Sequence, residues 1–196
     1  PTTPGVTVVI PTHGRPAEVR RAIEAVAQQT YSGEIEVIVV HDREPIDEGL
    51  VATGARPVST IPNARTPGLA GARNSGILAA ECELVAFCDD DDFWTPTKLE
   101  RQVEALRSSP SACLVTCSIF VDYEGKSTAR TASTDRVTED MLTRSRMAML
   151  HSSTFLFRRS ALVGSLGLIN EEIPGSQNED WDILLRAAAL QPIPHI

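Results

Sequence analysis

What this chain lacks narrows it first. No stretch approaches the roughly 20 consecutive apolar residues of a membrane-spanning helix, and no signal-peptide pattern opens the sequence. Positive charge is scarce: 18 Lys and Arg stand against 26 Asp and Glu, for a formal net charge of −8. A nucleic-acid binder needs a basic face, so no nucleic-acid partner is expected. Cys82, Cys88, Cys113 and Cys117 lie in or beside apolar runs without C-x-x-C spacing. That is the pattern of buried free thiols, not of a zinc site or a disulfide framework. Such usage suits a reducing compartment, and the expected location is the cytoplasm, with peripheral attachment to the inner membrane face allowed. There is no internal repeat and no low-complexity segment. A glycine-rich basic loop after the first apolar run is also missing; only Gly14 and Arg15 stand there, too little for a sugar nucleotidyltransferase.

What is present is an alternation. A hydrophobic content of 42% over 196 residues supports one domain with a substantial core. The β-branched run Val6 to Ile10 reads as a strand, ended by Pro11, Thr12, His13 and Gly14. Val19, Ala22, Ile23 and Val26 follow at helical spacing, with Pro16 suited to the first turn. Ile35 to Val40 is the next strand, closed by His41 and Asp42. A loop rich in Gly, Pro and charge leads from Arg43 to Arg56, and a short strand is expected at Val58 to Ile61. Leu69, Ala72, Gly76, Ile77 and Ala80 mark a second helix, and Leu99, Val103 and Leu106 a third behind Pro96. Near-continuous apolar strands alternating with amphipathic helices predict an α/β, Rossmann-like three-layer domain with a mostly parallel central sheet.

Between the second and third helices lies the feature richest in chemistry. The strand Leu84 to Cys88 runs into Asp89, Asp90, Asp91 and Asp92. Adjacent carboxylates repel one another and are costly to desolvate, so something cationic must compensate them. Hard oxygen ligands at this density suit Mg²⁺ or Mn²⁺. A solvated acidic turn is the plain alternative. Two other strand ends, Thr12 with His13 and His41 with Asp42, carry polar groups at the same predicted sheet edge. Open α/β sheets bind ligands there, beyond the carboxyl ends of their strands.

The second half is less regular. Ala112 to Tyr123 reads as a long strand, Lys126 to Arg136 as an exposed polar loop, and Ser153 to Phe157 as another strand. A helix follows through Ile183, Leu184, Leu185, Arg186 and Ala187. Asn178 is placed to cap it, with Glu179 and Asp180 at the positive end of its dipole.

Taken together, Val6 to Arg15, Gln28 to Tyr31, Glu36 to Asp42, Ala72–Arg73–Asn74 and the aspartate run resemble the family-two glycosyltransferases, in order and approximate spacing. These are inverting enzymes with the nucleotide-sugar-binding A-type fold. The resemblance implies one catalytic domain over residues 1–196, with a nucleotide-sugar half at 1–110 and an acceptor-side half at 111–196. Pro11, Thr12 and His13 would flank the base, with His13 where the family usually has Tyr. The first of two acidic positions at the second strand end is His41 here; only Asp42 keeps the acid. Arg15, Gly71, Arg73 and Asn74 would lie near the nucleotide, Arg73 supplying charge to the diphosphate. Asp89 and Asp91 have the D-x-D spacing, with Asp91 as metal ligand, Asp90 on the ribose and Asp92 orienting a neighbour; four acids in a row leave that register open by one position. His151 would approach the metal or diphosphate. Glu179–Asp180, with Arg186 beyond, resembles the motif that supplies the catalytic base, assigned to Asp180 with Asp182 and Glu179 as second choices.

The implied reaction moves a sugar from a nucleoside-diphosphate sugar to the hydroxyl of a saccharide, lipid-linked or small-molecule acceptor, with Mn²⁺ or Mg²⁺ as cofactor. A catalytically degenerate nucleotide-sugar-binding module is the alternative.

Overall fold

In the computed structural model, which describes residues 3–174 and 177–196, the run Val6–Thr12 forms strand β1, buried along its whole length. Burial on both faces is what a continuous β-branched run requires. On one side β1 pairs in parallel with β2 (Ile35–His41), Val6 opposite Ile35 and Thr12 opposite His41. On the other it pairs in parallel with β4 (Leu84–Phe87), and β3 (Val58–Pro62) extends the sheet beyond β2. The chain therefore builds outward from β1 to β3 and then crosses back to place β4 on the opposite flank. The switch point lies between β1 and β4. Two later strands complete the sheet, β9 (Leu156–Arg158) antiparallel to β4 and β5 (Leu114–Val115) antiparallel to β9, giving the order β3-β2-β1-β4-β9-β5.

Alternate residues of each strand feed two cores. Val6, Val8 and Ile10 face α1 (Pro16–Ala27) and α3 (Lys98–Arg107), through Val19, Ala22 and Val26 of the first and Leu99, Val103 and Leu106 of the second. Val9, Ile38, Val40, Val85 and Phe87 face the other way, onto α2 (Leu69–Ala79) and α6 (Glu179–Leu190). Period two in the strands and 3.6 in the helices thus specify a three-layer sandwich. Two short helices, α4 (Glu139–Arg144) and α5 (Arg159–Leu162), complete the second half. Among the described residues no helix is long and apolar enough to cross a membrane. All four cysteines are free, Cys82 and Cys88 buried and the other two half-buried.

Four expectations are corrected. The predicted strand over Ala112 to Tyr123 breaks after Val115: Thr116 bridges to His195, and the chain re-forms as β6 (Ile119–Tyr123) outside the main sheet. The predicted polar loop contains β7 (Lys126–Arg130), paired antiparallel with β6, and β8 (Arg136–Val137), paired with β10 (Ile193–Pro194). Its sequence shows no alternation because every residue of β7 is exposed, so no buried face imprints a period. The local signal was Glu124–Gly125, with φ of 49° and 75°, which supplies the two left-handed residues of a tight hairpin. Third, Ser152–Thr154 is one 3-10 turn and only Leu156–Arg158 is strand, because the Thr154 hydroxyl bonds the His151 carbonyl instead of standing off a strand. Fourth, Asn178 is left-handed at φ 68° and makes no side-chain cap; its Oδ1 accepts from Arg146.

Helix α2 lies very close to β1. A Cβ on Gly76 would stand 2.3 Å from Cγ1 of Val9, and one on Gly71 would stand 1.8 Å from the Thr66 carbonyl oxygen. Asn74 fastens the same helix to the second half: its amide donates to the Ile169 carbonyl and to Glu171, and its oxygen accepts from Ile169 N–H. Glu171 also accepts from Arg65 and from Thr66 N–H. Burial raises the Glu171 carboxyl, but its bonds to Asn74, Thr66 and Arg65 outweigh that and hold it down at about 2.

Two outcomes follow from this packing. Gly76→Ala places its methyl on a stiff β-branched neighbour, and overpacking of about 1–3 kcal/mol exceeds the helix-propensity gain of about 1 kcal/mol; the urea midpoint should fall. Because the Glu171 carboxyl is depressed, its stabilisation is complete above its ordinary value of 4.5 and is lost as pH falls toward 2. Thermal melts across that window should show a shallower acid decline in Glu171→Gln than in the parent; identical slopes would refute the assignment.

Candidate active site

The carboxyl ends of β1, β2 and β4 and the start of α2 enclose a cavity of about 450 Å³. Thr12, His13, Asp42, Gly68, Asp89 and Asp90 are among its walls, as are Pro11, Arg15 and Asp91. Parallel β1 and β2 end in register, so their polar terminal residues arrive side by side.

Asp42 is buried and densely bonded. It accepts from Asn63 Nδ2 at 2.8 Å, from Gly68 N–H at 3.1 Å and from Arg43 Nε at 2.9 Å. Burial raises its carboxyl, yet these donors outweigh burial and keep it below the usual range. Gly68 begins α2 at φ 119°, a conformation that favours glycine, so its N–H can meet that carboxylate. His13 packs against the same residue: Nδ1 lies 2.6 Å from the Asp42 carbonyl oxygen. A carbonyl only accepts, so that nitrogen carries the proton, and the ring is pinned as a flat wall at the cavity mouth.

His41 is directed elsewhere. Its Nε2 accepts from Asp47 N–H at 3.3 Å, which leaves Nδ1 to donate to Glu44 at 2.9 Å. Glu44 in turn accepts from Gly14 N–H, tying the loop after β1 to the loop after β2. His41 is thus a buried strut of those loops, outside the cavity wall.

The aspartates do not continue β4. The strand ends at Phe87, and Asp92 N–H donates to the Asp89 carbonyl at 3.1 Å, closing a turn. Residues two apart share a side in a strand, but in this turn Asp89 meets Arg73 while Asp91 meets Arg15. Instead Asp89, Asp92 and His151 each present a ligand atom within 4.8 Å of the others. Asp90 and Asp91 turn the other way and share Arg15 Nη1, at 3.0 and 2.6 Å. Asp90 also accepts from Thr12 Oγ1 at 2.8 Å. Burial pushes the Asp90 carboxyl up, against Thr12 and Arg15, and burial likewise raises Asp92.

Arg73 stands behind the cavity, with its side chain only 2% exposed. Nη1 donates to Glu179 at 2.6 Å; Nη2 donates to Asp89 at 2.7 Å and to Ser152 Oγ at 2.9 Å. Both terminal nitrogens are therefore committed inside the protein. Burial raises the Asp89 carboxyl, but Arg73 and Ser152 outweigh it and hold that carboxyl low. Gly71 and Asn74 likewise serve packing: Gly71 meets the Thr66 backbone and Asn74 the 169–171 segment. Asp180 sits on the first turn of α6 with its side chain 18% exposed, Oδ1 accepting from Trp181 N–H and 3.9 Å from Arg146 Nη2. Arg186 pairs with Asp182 and donates to the Leu166 and Leu168 carbonyls, which ties α6 to the preceding loop.

Sequence reasoning missed Gly68, Arg43, Ser152 and Ser153. Ser153 Oγ accepts from Asp89 N–H at 2.8 Å, and the Ser153 carbonyl accepts from Trp94 Nε1 at 3.1 Å. The paired serines directly after His151 were the available signal, since hydroxyls bond nearby backbone readily.

The sequence pattern of the family described as Glycosyl transferase family 2 matches residues 7–164. An uncharacterized glycosyltransferase of Haemophilus influenzae is 31% identical over 106 residues, covering 54% of this chain and 36% of that protein. Among solved structures, S. aureus TarS in complex with UDP-GlcNAc superposes with a TM-score of 0.73 at 20% identity, over 97% of this chain and 55% of that one. The mannosyltransferase PcManGT of Pyrobaculum calidifontis, in complex with GDP-Man and Mn²⁺, gives 0.65 at 19% identity, over 98% of this chain and 54% of that one. The chain thus spans between 36% and 55% of the lengths of these proteins. Such structural likeness establishes the A-type fold, and the pattern match, which takes in β1 through α5, establishes kinship: the chain belongs to glycosyl transferase family 2.

Proposed function

We propose that this domain transfers a sugar from a nucleoside-diphosphate sugar to an acceptor hydroxyl, with inversion, at the cleft beyond β1, β2 and β4. The observation that carries the reading is the convergence of His13, Asp42 and the Asp89–Asp91 turn on one cavity at the switch point. The complexes of TarS with UDP-GlcNAc and of PcManGT with GDP-Man support a nucleotide-sugar donor. In this reading residues 1–110 hold the donor and residues 111–196 supply the base and the acceptor side. His13 offers its ring to the nucleotide base, Asp42 orients the nucleoside, and Asp90, already bonded to Thr12, faces the ribose.

A divalent cation fits the residues present. Two carboxylates and an imidazole within 4.8 Å form a donor set within the range of Mn²⁺, the ion carried by the PcManGT complex. Asp89, Asp92 and His151 would hold it, and when bound it supplies positive charge to the leaving diphosphate. The chain's own groups do the rest. Asp180 accepts the proton of the acceptor hydroxyl as that oxygen forms its bond to the anomeric carbon. The bond from that carbon to the diphosphate oxygen breaks, and its electron pair leaves with the nucleoside diphosphate. Attack opposite the leaving group inverts the centre.

Thermal shift with UDP, dTDP, GDP, CDP and ADP, each with Mn²⁺, Mg²⁺ or EDTA, tests the donor site. At roughly 100 times Kd a ligand adds about 2.7 kcal/mol of stability, so one nucleotide should raise the melting temperature and EDTA should remove the shift. No shift under any condition would favour a degenerate module. Asp180→Asn should leave that shift intact while transfer falls about 10²- to 10⁴-fold; near-normal turnover would remove Asp180 as the base.

A further inference from the structure

We infer that Arg73 and Glu179 form a positioning pair that sets the catalytic reach of Asp180, an inference that rests on the function proposed above. Helix α6 carries Asp180 in its first turn yet takes no side-chain cap from Asn178, which is left-handed and bonds Arg146 instead. A different contact fixes that end of the helix. Glu179, adjacent to Asp180, turns inward and accepts from Arg73 Nη1 at 2.6 Å. The other terminal nitrogen of the same guanidinium holds Asp89 at 2.7 Å, and Ser152 Oγ, which accepts from Arg73, donates to the second oxygen of Asp89 at 2.8 Å. One rigid planar group therefore spans from the acidic turn to the base helix, and it stands 5.8 Å over the Phe87 ring.

Stability alone is a poor reason for this arrangement. A buried ion pair contributes little beyond what apolar residues of the same size would, and Arg73 Nε is buried with no hydrogen-bond partner among the described residues. What the guanidinium does supply is a fixed separation between two carboxylates on elements far apart in sequence. In-line displacement needs such a separation, because the leaving group and the base act on opposite sides of the sugar, and small misplacements are costly.

The test uses the nucleotide sugar whose nucleotide wins the thermal-shift panel, with water as acceptor, and reads nucleoside diphosphate release in Mn²⁺. Glu179→Gln keeps an acceptor oxygen for Arg73 but removes the charge. Its donor KM should stay near the parent value while kcat falls about 10- to 100-fold. Glu179→Asp, which keeps the charge and leaves the Arg73–Asp89 bond in place but shortens the arm by one methylene, should do the same and serves as the second variant if the first folds poorly. Because the pair acts through Asp180, neither substitution should lower the residual rate further in an Asp180→Asn background. Losses that multiply in the double variants, or an unchanged kcat in both single variants, would overturn the positioning role. Normal turnover in Asp180→Asn alone would instead overturn the base assignment, a separate and recognisable failure.

Discussion

Four neighbouring carboxylates at the end of a buried strand impose the constraint around which the rest of this molecule is arranged. Left alone they would repel one another and resist desolvation. Three different elements answer them. The start of α1 sends Arg15 to Asp90 and Asp91, α2 sends Arg73 to Asp89, and the segment before β9 brings His151 to 3.8 Å from Asp92. The turn divides the acids into two sets. Asp89 and Asp92 face the candidate cation position, while Asp90 and Asp91 face Arg15.

That distribution works only because α2 lies tight against the sheet. Gly76 lets the helix rest on Val9, and Gly71 lets its first turn meet the Thr66 carbonyl. With the helix axis held there, Arg73 reaches under the acidic turn and Gly68 turns its N–H to Asp42. The second half is fastened to the same helix: Asn74 bonds the 169–171 segment, and Glu179 receives the remaining arm of Arg73. The cavity beyond β1, β2 and β4 and the start of α6 thus share one mechanical reference, the axis of α2.

Residue patterning specifies the parallel half of the fold and the edge at which the candidate site forms. Near-continuous apolar runs at Val6, Ile35 and Leu84, with helices of clear period between them, leave little freedom, since runs apolar on both faces must be covered on both faces. Polar residues ending each run marked the edge for the same reason. Tertiary structure decided what each residue does there. Arg73 looked like a phosphate ligand and is an internal strut; His41, standing at a position acidic in the family, braces two loops; Asp92, not Asp91, completes the cluster with Asp89 and His151. Sequence periodicity reports which way a side chain points only while the backbone stays regular. At Asp89 the strand has already ended, and in a turn the direction of each carboxylate is set by its neighbours in space: Arg15 from one helix, Arg73 from another, and the hydroxyls of Ser152 and Ser153 from a distant segment.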